Sequence, residues 1–95
     1  MEQQKKDLQD LKEKELTKFK HIFKLSRRFQ ESIELRNYIN TFEKYALESN
    51  FLTDEKQHWI QWARKKADWY DPFIDAEDDL LDDIDKDTLT FKKTN

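Results

Sequence analysis

The chain has 95 residues, 41% of them charged against 36% hydrophobic, with a formal net charge of -3 and a mean hydropathy of -1.14. It holds no glycine, no cysteine, no valine and a single proline. That composition excludes a glycine-rich phosphate loop, a Rossmann fingerprint, a cysteine zinc site, thiol chemistry and a disulfide framework. The length fits about one small domain. So polar a chain stands close to disorder, because it can bury little apolar surface against the entropy of ordering. Leu, Ile and Phe nevertheless make up 23 of the 95 residues, above the ~20% that marks disorder. A small core is expected, in a domain of a size that gains from a partner or from extra helix–helix contact. There is no run of ~18 apolar residues and no apolar stretch near Met1, so a cytoplasmic protein without a membrane span is expected.

With Gly and Val absent and Lys, Glu, Leu and Gln abundant, the propensities favour helix almost throughout. The expected fold is all-α. The first helical stretch runs from about Gln4 to Leu47, without a proline or glycine. Leu8, Leu11, Leu16, Phe19, Ile22 and Phe23 give an irregular apolar stripe that continues through Ser26, Phe29 and Ile33 at alternating threes and fours. A second stripe, Leu35, Tyr38, Ile39, Phe42, Tyr45 and Ala46, is stronger and slightly out of phase with the first. That offset suggests a bend or break near Leu25–Arg28. Residues 48–52 read as a short connection, and Thr53 is an N-cap followed by Asp54 and Glu55 in a first turn that favours acids. The second helix runs from Asp54 to about Tyr70 and ends before Pro72. So short a connection makes the two helices antiparallel neighbours. The missing glycines remove the usual hairpin turns. Over residues 71–87 nine acids stand against one base, and Phe73, Ile74, Ala76, Leu80, Leu81 and Ile84 suggest a short acidic helix, followed by a frayed tail. The chain thus divides into a charged, coiled-coil-like extension (1–27), a helical hairpin (28–74) and an acidic helix with a disordered tail (75–95).

Trp59, Ala63, Ala67 and Tyr70 share one helix face, which is expected to pack on Tyr38, Ile39 and Phe42 with Trp59 as anchor. Three tryptophans exceed what two helices need, so Trp62 and Trp69 are candidates for partner contact, with Phe19, Ile22 and Phe29 of the first stripe. Arg27, Arg28 and Arg36, with nearby lysines, are candidate phosphate contacts, although a pI near 5.4 and interleaved acids favour a solvated helix face. Counting from the turn places Arg36 opposite Asp68 and Asp71, where a guanidinium can bridge both carboxylates and fix the register. His21 and His58 lack metal-ligand spacing. Asp83, Asp85 and Asp87 only begin a calcium-loop pattern, since Thr88 and Thr94 replace its glycine and final glutamate. Ser26, Ser32 and Ser49 lie in charged helical context and suggest no triad. No cofactor, metal or small-molecule substrate is expected.

The order Arg28-Phe29, Leu35-Arg36-Asn37-Tyr38-Ile39, Phe42-Glu43, Trp59-Ile60-Gln61-Trp62-Ala63 and Ala67-Asp68-Trp69-Tyr70-Asp71-Pro72 resembles a helical segment at the C-terminal ends of many larger, uncharacterised bacterial proteins. There an LR-x-Y/F-I/L helix, a W-x-x-W-A helix and an A-D-x-x-D-P ending recur after a charged stretch. The resemblance covers about Arg28 to Ile74 and implies an accessory helical module without enzymatic activity.

The leading functional expectation is a non-catalytic protein–protein interaction or oligomerisation module, with another protein or a second copy as partner. The alternatives are a nucleic-acid-associated accessory domain using the basic face of the first helix, and an acidic inhibitor or mimic acting through residues 71–87.

Overall fold

The computed structural model of the chain describes residues 2–93. Two helices dominate: α1, Glu2–Glu48, and α2, Asp54–Tyr70, packed as a hairpin. α1 is uninterrupted, so the break suggested near Leu25–Arg28 does not occur. With no glycine or proline to stop it, the helix continues, and its two out-of-phase stripes simply point in different directions.

The turn between the helices has a defined chemistry. Asn50 takes a left-handed backbone (φ 58°). The amide of Phe51 donates to the carbonyl of Ala46 (2.9 Å) and that of Asn50 to Leu47 (3.3 Å). This is the Schellman arrangement, in which asparagine substitutes for the usual glycine. Thr53 caps α2, its Oγ1 accepting from the amide of Lys56 at 3.2 Å. At the far end Asp71 leaves helical geometry ahead of Pro72, its amide donating to the carbonyl of Ala67 at 3.0 Å.

The core is thin: Ile39, Ile60, Ala63 and Ala67, with Phe42 and Leu52 packed against them. The two alanines let the helices approach closely. The packed face of α1 passes through Leu25, Arg28, Ser32, Arg36, Ile39, Glu43 and Ala46, in steps of three and four. Two expectations are corrected here. Ala63, Ala67 and Tyr70 are buried as expected, but Trp59 is not the anchor: it is 36% exposed where its neighbour Ile60 is 2% exposed, and Ile60 takes its place on the packed face. Leu35, Tyr38 and Tyr45 are exposed: of the second stripe Ile39, Phe42 and Ala46 turn most fully toward α2, and Tyr38 meets it only edge-on at Trp59, ring centroids 6.5 Å apart.

The acidic helix expected after Pro72 is absent. Residues 72–83 run through turns and extended chain, and β1 (Ile84–Asp85) then pairs antiparallel with β2 (Thr90–Phe91), Ile84 opposite Phe91 and Asp85 opposite Thr90. The aspartates themselves compete with helix by binding nearby amides. Asp71 Oδ1 accepts from Phe73 (2.8 Å), Asp78 Oδ1 from Leu80 (3.0 Å) and Leu81 (3.1 Å), and Asp82 Oδ1 from Asp78 (3.0 Å). The four-residue hairpin loop closes without glycine: Leu89 takes φ 55° and its amide donates to the carbonyl of Asp85 at 2.7 Å. A frayed end was expected over the last ten residues; residues 86–91 belong to this hairpin, and Thr94 and Asn95 lie outside the described residues. The molecule measures 74 × 30 × 19 Å, and its radius of gyration of 19.9 Å far exceeds the ~12 Å of a compact chain this long.

Candidate interaction surface

The N-terminal half of α1 extends past the end of the hairpin. Leu8, Leu11, Leu16, Phe19, Ile22 and Phe23 are all at least half exposed. At 3.6 residues per turn this stripe is rotated by about 130° from the face that packs on α2. Phe19 and Phe23 stack on each other, ring centroids 6.2 Å apart, and the Arg27 guanidinium lies 5.9 Å from the Phe23 ring centroid. Where the stripe reaches the hairpin, Phe29 meets Phe73 edge-on at 5.0 Å. Ile22, Leu25, Ser26, Phe29, Pro72 and Phe73 line an open, largely apolar cleft of about 420 Å³ there.

The two tryptophans expected at a partner surface part company. Trp62 is 55% exposed and lies beneath the Lys66 ammonium, 5.8 Å from the ring centroid. Trp69 is only 5% exposed. The C-terminal segment folds back over it and sets Lys86 Nζ 4.7 Å from its ring centroid, so Trp69 is a structural residue and not a free contact. Burial and the nearby charge of Arg28 lower the pKa of Lys86. Lys66 pairs with Asp78 and Lys24 with Asp87 (3.6 Å), tying the acidic segment to both helices.

The three candidate phosphate-binding arginines do not form one site. Arg36 Nη1 donates to Asp71 Oδ2 and Nη2 to Asp68 Oδ1, each at 2.8 Å. Arg28 donates through Nε and Nη2 to the carbonyl of Tyr70, both at 3.3 Å, and lies over the Tyr70 ring. Arg27 remains at the surface beside Phe23. Arg28 thus satisfies a carbonyl at the C-terminal end of α2, where helix carbonyls lack internal partners, while Arg36 is committed to two carboxylates of the same end. Burial alone would raise the pKa of Asp71, but hydrogen bonds from Arg36 and Phe73 and the charges of Arg36 and Arg28 hold it below the ordinary carboxylate value. Burial raises the Tyr70 phenol, and the charge of Glu31 adds to the effect. A bridge not anticipated from the sequence runs the other way: Arg64 of α2 grips Glu43 (2.9 and 3.2 Å) and reaches Asn40 (3.3 Å). The hydrogen bond from Arg64 lowers the Glu43 pKa.

Ser32 was also missed: it is fully buried, its hydroxyl donating to the carbonyl of Phe29 at 2.7 Å. The signal for Ile60 was present, since it precedes Ala63 by three residues and Ala67 by seven. A second apolar recess of about 400 Å³ lies under the C-terminal segment, lined by residues that include Leu35, Tyr38, Trp69, Tyr70, Leu81 and Leu89. Among the described residues no three His, Asp or Glu side chains gather as a metal site, and no helix is long and apolar enough to cross a membrane. No family model, curated protein or solved structure matches the chain.

Proposed function

We propose that this chain is a non-catalytic helical interaction module, an accessory segment of a larger bacterial protein, whose working surface is the apolar stripe on the first half of α1. One observation carries the reading. The hairpin buries its own core, whereas Leu8, Leu11, Leu16, Phe19, Ile22 and Phe23 lie outside that core and stand at least half exposed. Helices in water depend mainly on packing of an amphipathic face, so the extension gains its stability from whatever surface covers it. The nucleic-acid alternative loses support because Arg28 and Arg36 are engaged within the hairpin. Light scattering over a concentration series tests the proposal. The mass should rise above the 11.7 kDa monomer, and Ile22→Glu with Phe29→Glu should abolish the rise. Association unchanged in that double variant would refute the stripe as the working surface.

A further inference from the structure

The stripe's polar interruptions point to its occupant. Between Leu8 and Ile33 the seam at alternating fours and threes reads Leu8, Lys12, Glu15, Phe19, Ile22, Ser26, Phe29, Ile33. A parallel, in-register partner of the same sequence would set Lys12 on Lys12 and Glu15 on Glu15, each a like-charge layer in the seam. It would also align the acid-free, basic stretch Thr17–Gln30 with itself and place both acid-rich C-terminal segments at the same end. An antiparallel partner crossing between Lys20 and His21 changes every layer. Leu8 then meets Ile33, Lys12 meets Phe29, Glu15 meets Ser26 and Phe19 meets Ile22. Apolar faces apolar, the Glu15 carboxylate faces the Ser26 hydroxyl, and the lysine lies against an aromatic ring. On the flank Leu16 meets Phe23.

We propose that the stripe is covered by a second copy of this chain, its α1 antiparallel and crossing between Lys20 and His21, with Phe19 of each copy entering beside Ile22 at the mouth of the cleft completed by Leu25, Ser26, Phe29, Pro72 and Phe73 of the other. This rests on the stripe being the working surface. The area is sufficient. Phe19, Phe23 and Phe29 are 62, 51 and 38% exposed, which leaves about 300 Å² of aromatic surface per copy at ~200 Å² for each ring. Leu8, Leu11, Leu16 and Ile22 add a comparable area, bringing each copy near the ~800 Å² that a partner contributes to a standard interface. The hairpins lie at opposite ends of such a pair, so the net-acidic segments stay apart.

The chain has no cysteine, which makes directed cross-linking clean. Glu15→Cys and Ser26→Cys chains, mixed under mild oxidation, should give the mixed disulfide in at least ~10-fold excess over either like pair, because a disulfide needs Cα atoms within about 7 Å. Like positions stand 11 residues out of register in this arrangement, about 16 Å apart. Light scattering of the unmodified chain should give twice the monomer mass, and Ile22→Glu should halve it without changing the urea midpoint of the hairpin. Like-pair cross-links in a dimer that Ile22→Glu still dissociates would overturn the antiparallel register and leave the stripe as the working surface. A dimer indifferent to Ile22→Glu would overturn both. A constant monomer mass at hundreds of micromolar would overturn the second copy as occupant.

Discussion

Asp71 concentrates several roles in one side chain. It ends α2, accepts the amide of Phe73, and receives one arm of Arg36 while almost wholly buried. Its folded pKa lies below its ordinary value, so its stabilising contribution is complete above the unfolded carboxylate range near pH 4 and disappears as pH falls through the lower folded value. Urea midpoints measured from pH 7 to pH 2 should therefore drop in acid, and Asp71→Asn should lower the neutral midpoint and flatten the acid slope. An equally steep slope in the variant would assign the acid loss to other carboxylates. Packing should separate neighbouring residues of α2 just as clearly. Ile60→Ala removes a buried side chain and should cost about 2–5 kcal/mol. Trp59→Ala, at a half-open position against Phe42 (4.6 Å), should cost less than Ile60→Ala, and exposed Gln61→Ala under about 0.5 kcal/mol. The ranking is read from urea unfolding followed by far-UV ellipticity, and a larger loss for Trp59 than for Ile60 would contradict this packing.

Helix boundaries were the most legible part of the sequence because they rest on local chemistry. Thr53 ahead of two acids, and Pro72 after Tyr70, place both ends of α2 where they occur. The level of Arg36 with Asp68 followed from equal counts of residues on either side of the turn. Less legible was anything set by neighbours. The large rings of Trp59 and Tyr38 drew the packed face toward themselves, whereas Ile60 and Ser32, unremarkable in the sequence, are buried beside the expected Ala63 and Ala67. The fate of Trp69 depended on a C-terminal segment whose fold carried no glycine signal, since Leu89 and Asn50 take positive φ without one. These two positions respond to substitution in a defined way. Asn50→Ala should destabilise the hairpin by about 1 kcal/mol, because a Cβ in left-handed geometry approaches the next carbonyl and Asn is better suited to it. Asn50→Gly should hold or raise stability through the same hydrogen bonds. Thermal melts of both variants check this, and an Ala variant as stable as Gly would mean that the turn has rearranged.

Charge is divided unevenly along the chain: residues 1–70 carry net +3 and residues 71–95 net -6. The fold brings these parts together, since the C-terminal segment lies over Trp69 and Tyr70 and is held by Lys24–Asp87, Lys66–Asp78 and the Lys86 stack on Trp69. The helical hairpin is held differently, by Ile39, Ile60 and the alanines, with arginine bridges at its margins. The two layers should therefore respond differently to salt. At 1 M the screening length shrinks to about 3 Å, which weakens exposed ion pairs and the general attraction between oppositely charged parts, while apolar burial is unaffected or strengthened. The C-terminal segment should loosen before the hairpin does. A Trp59→Phe, Trp62→Phe chain leaves Trp69 as the sole indole reporter. Raising salt from 50 mM to 1 M should increase its acrylamide quenching, with far-UV helicity unchanged. Quenching indifferent to salt would show that apolar contacts, such as those around Leu81 and Leu89, hold the segment without help from its charges.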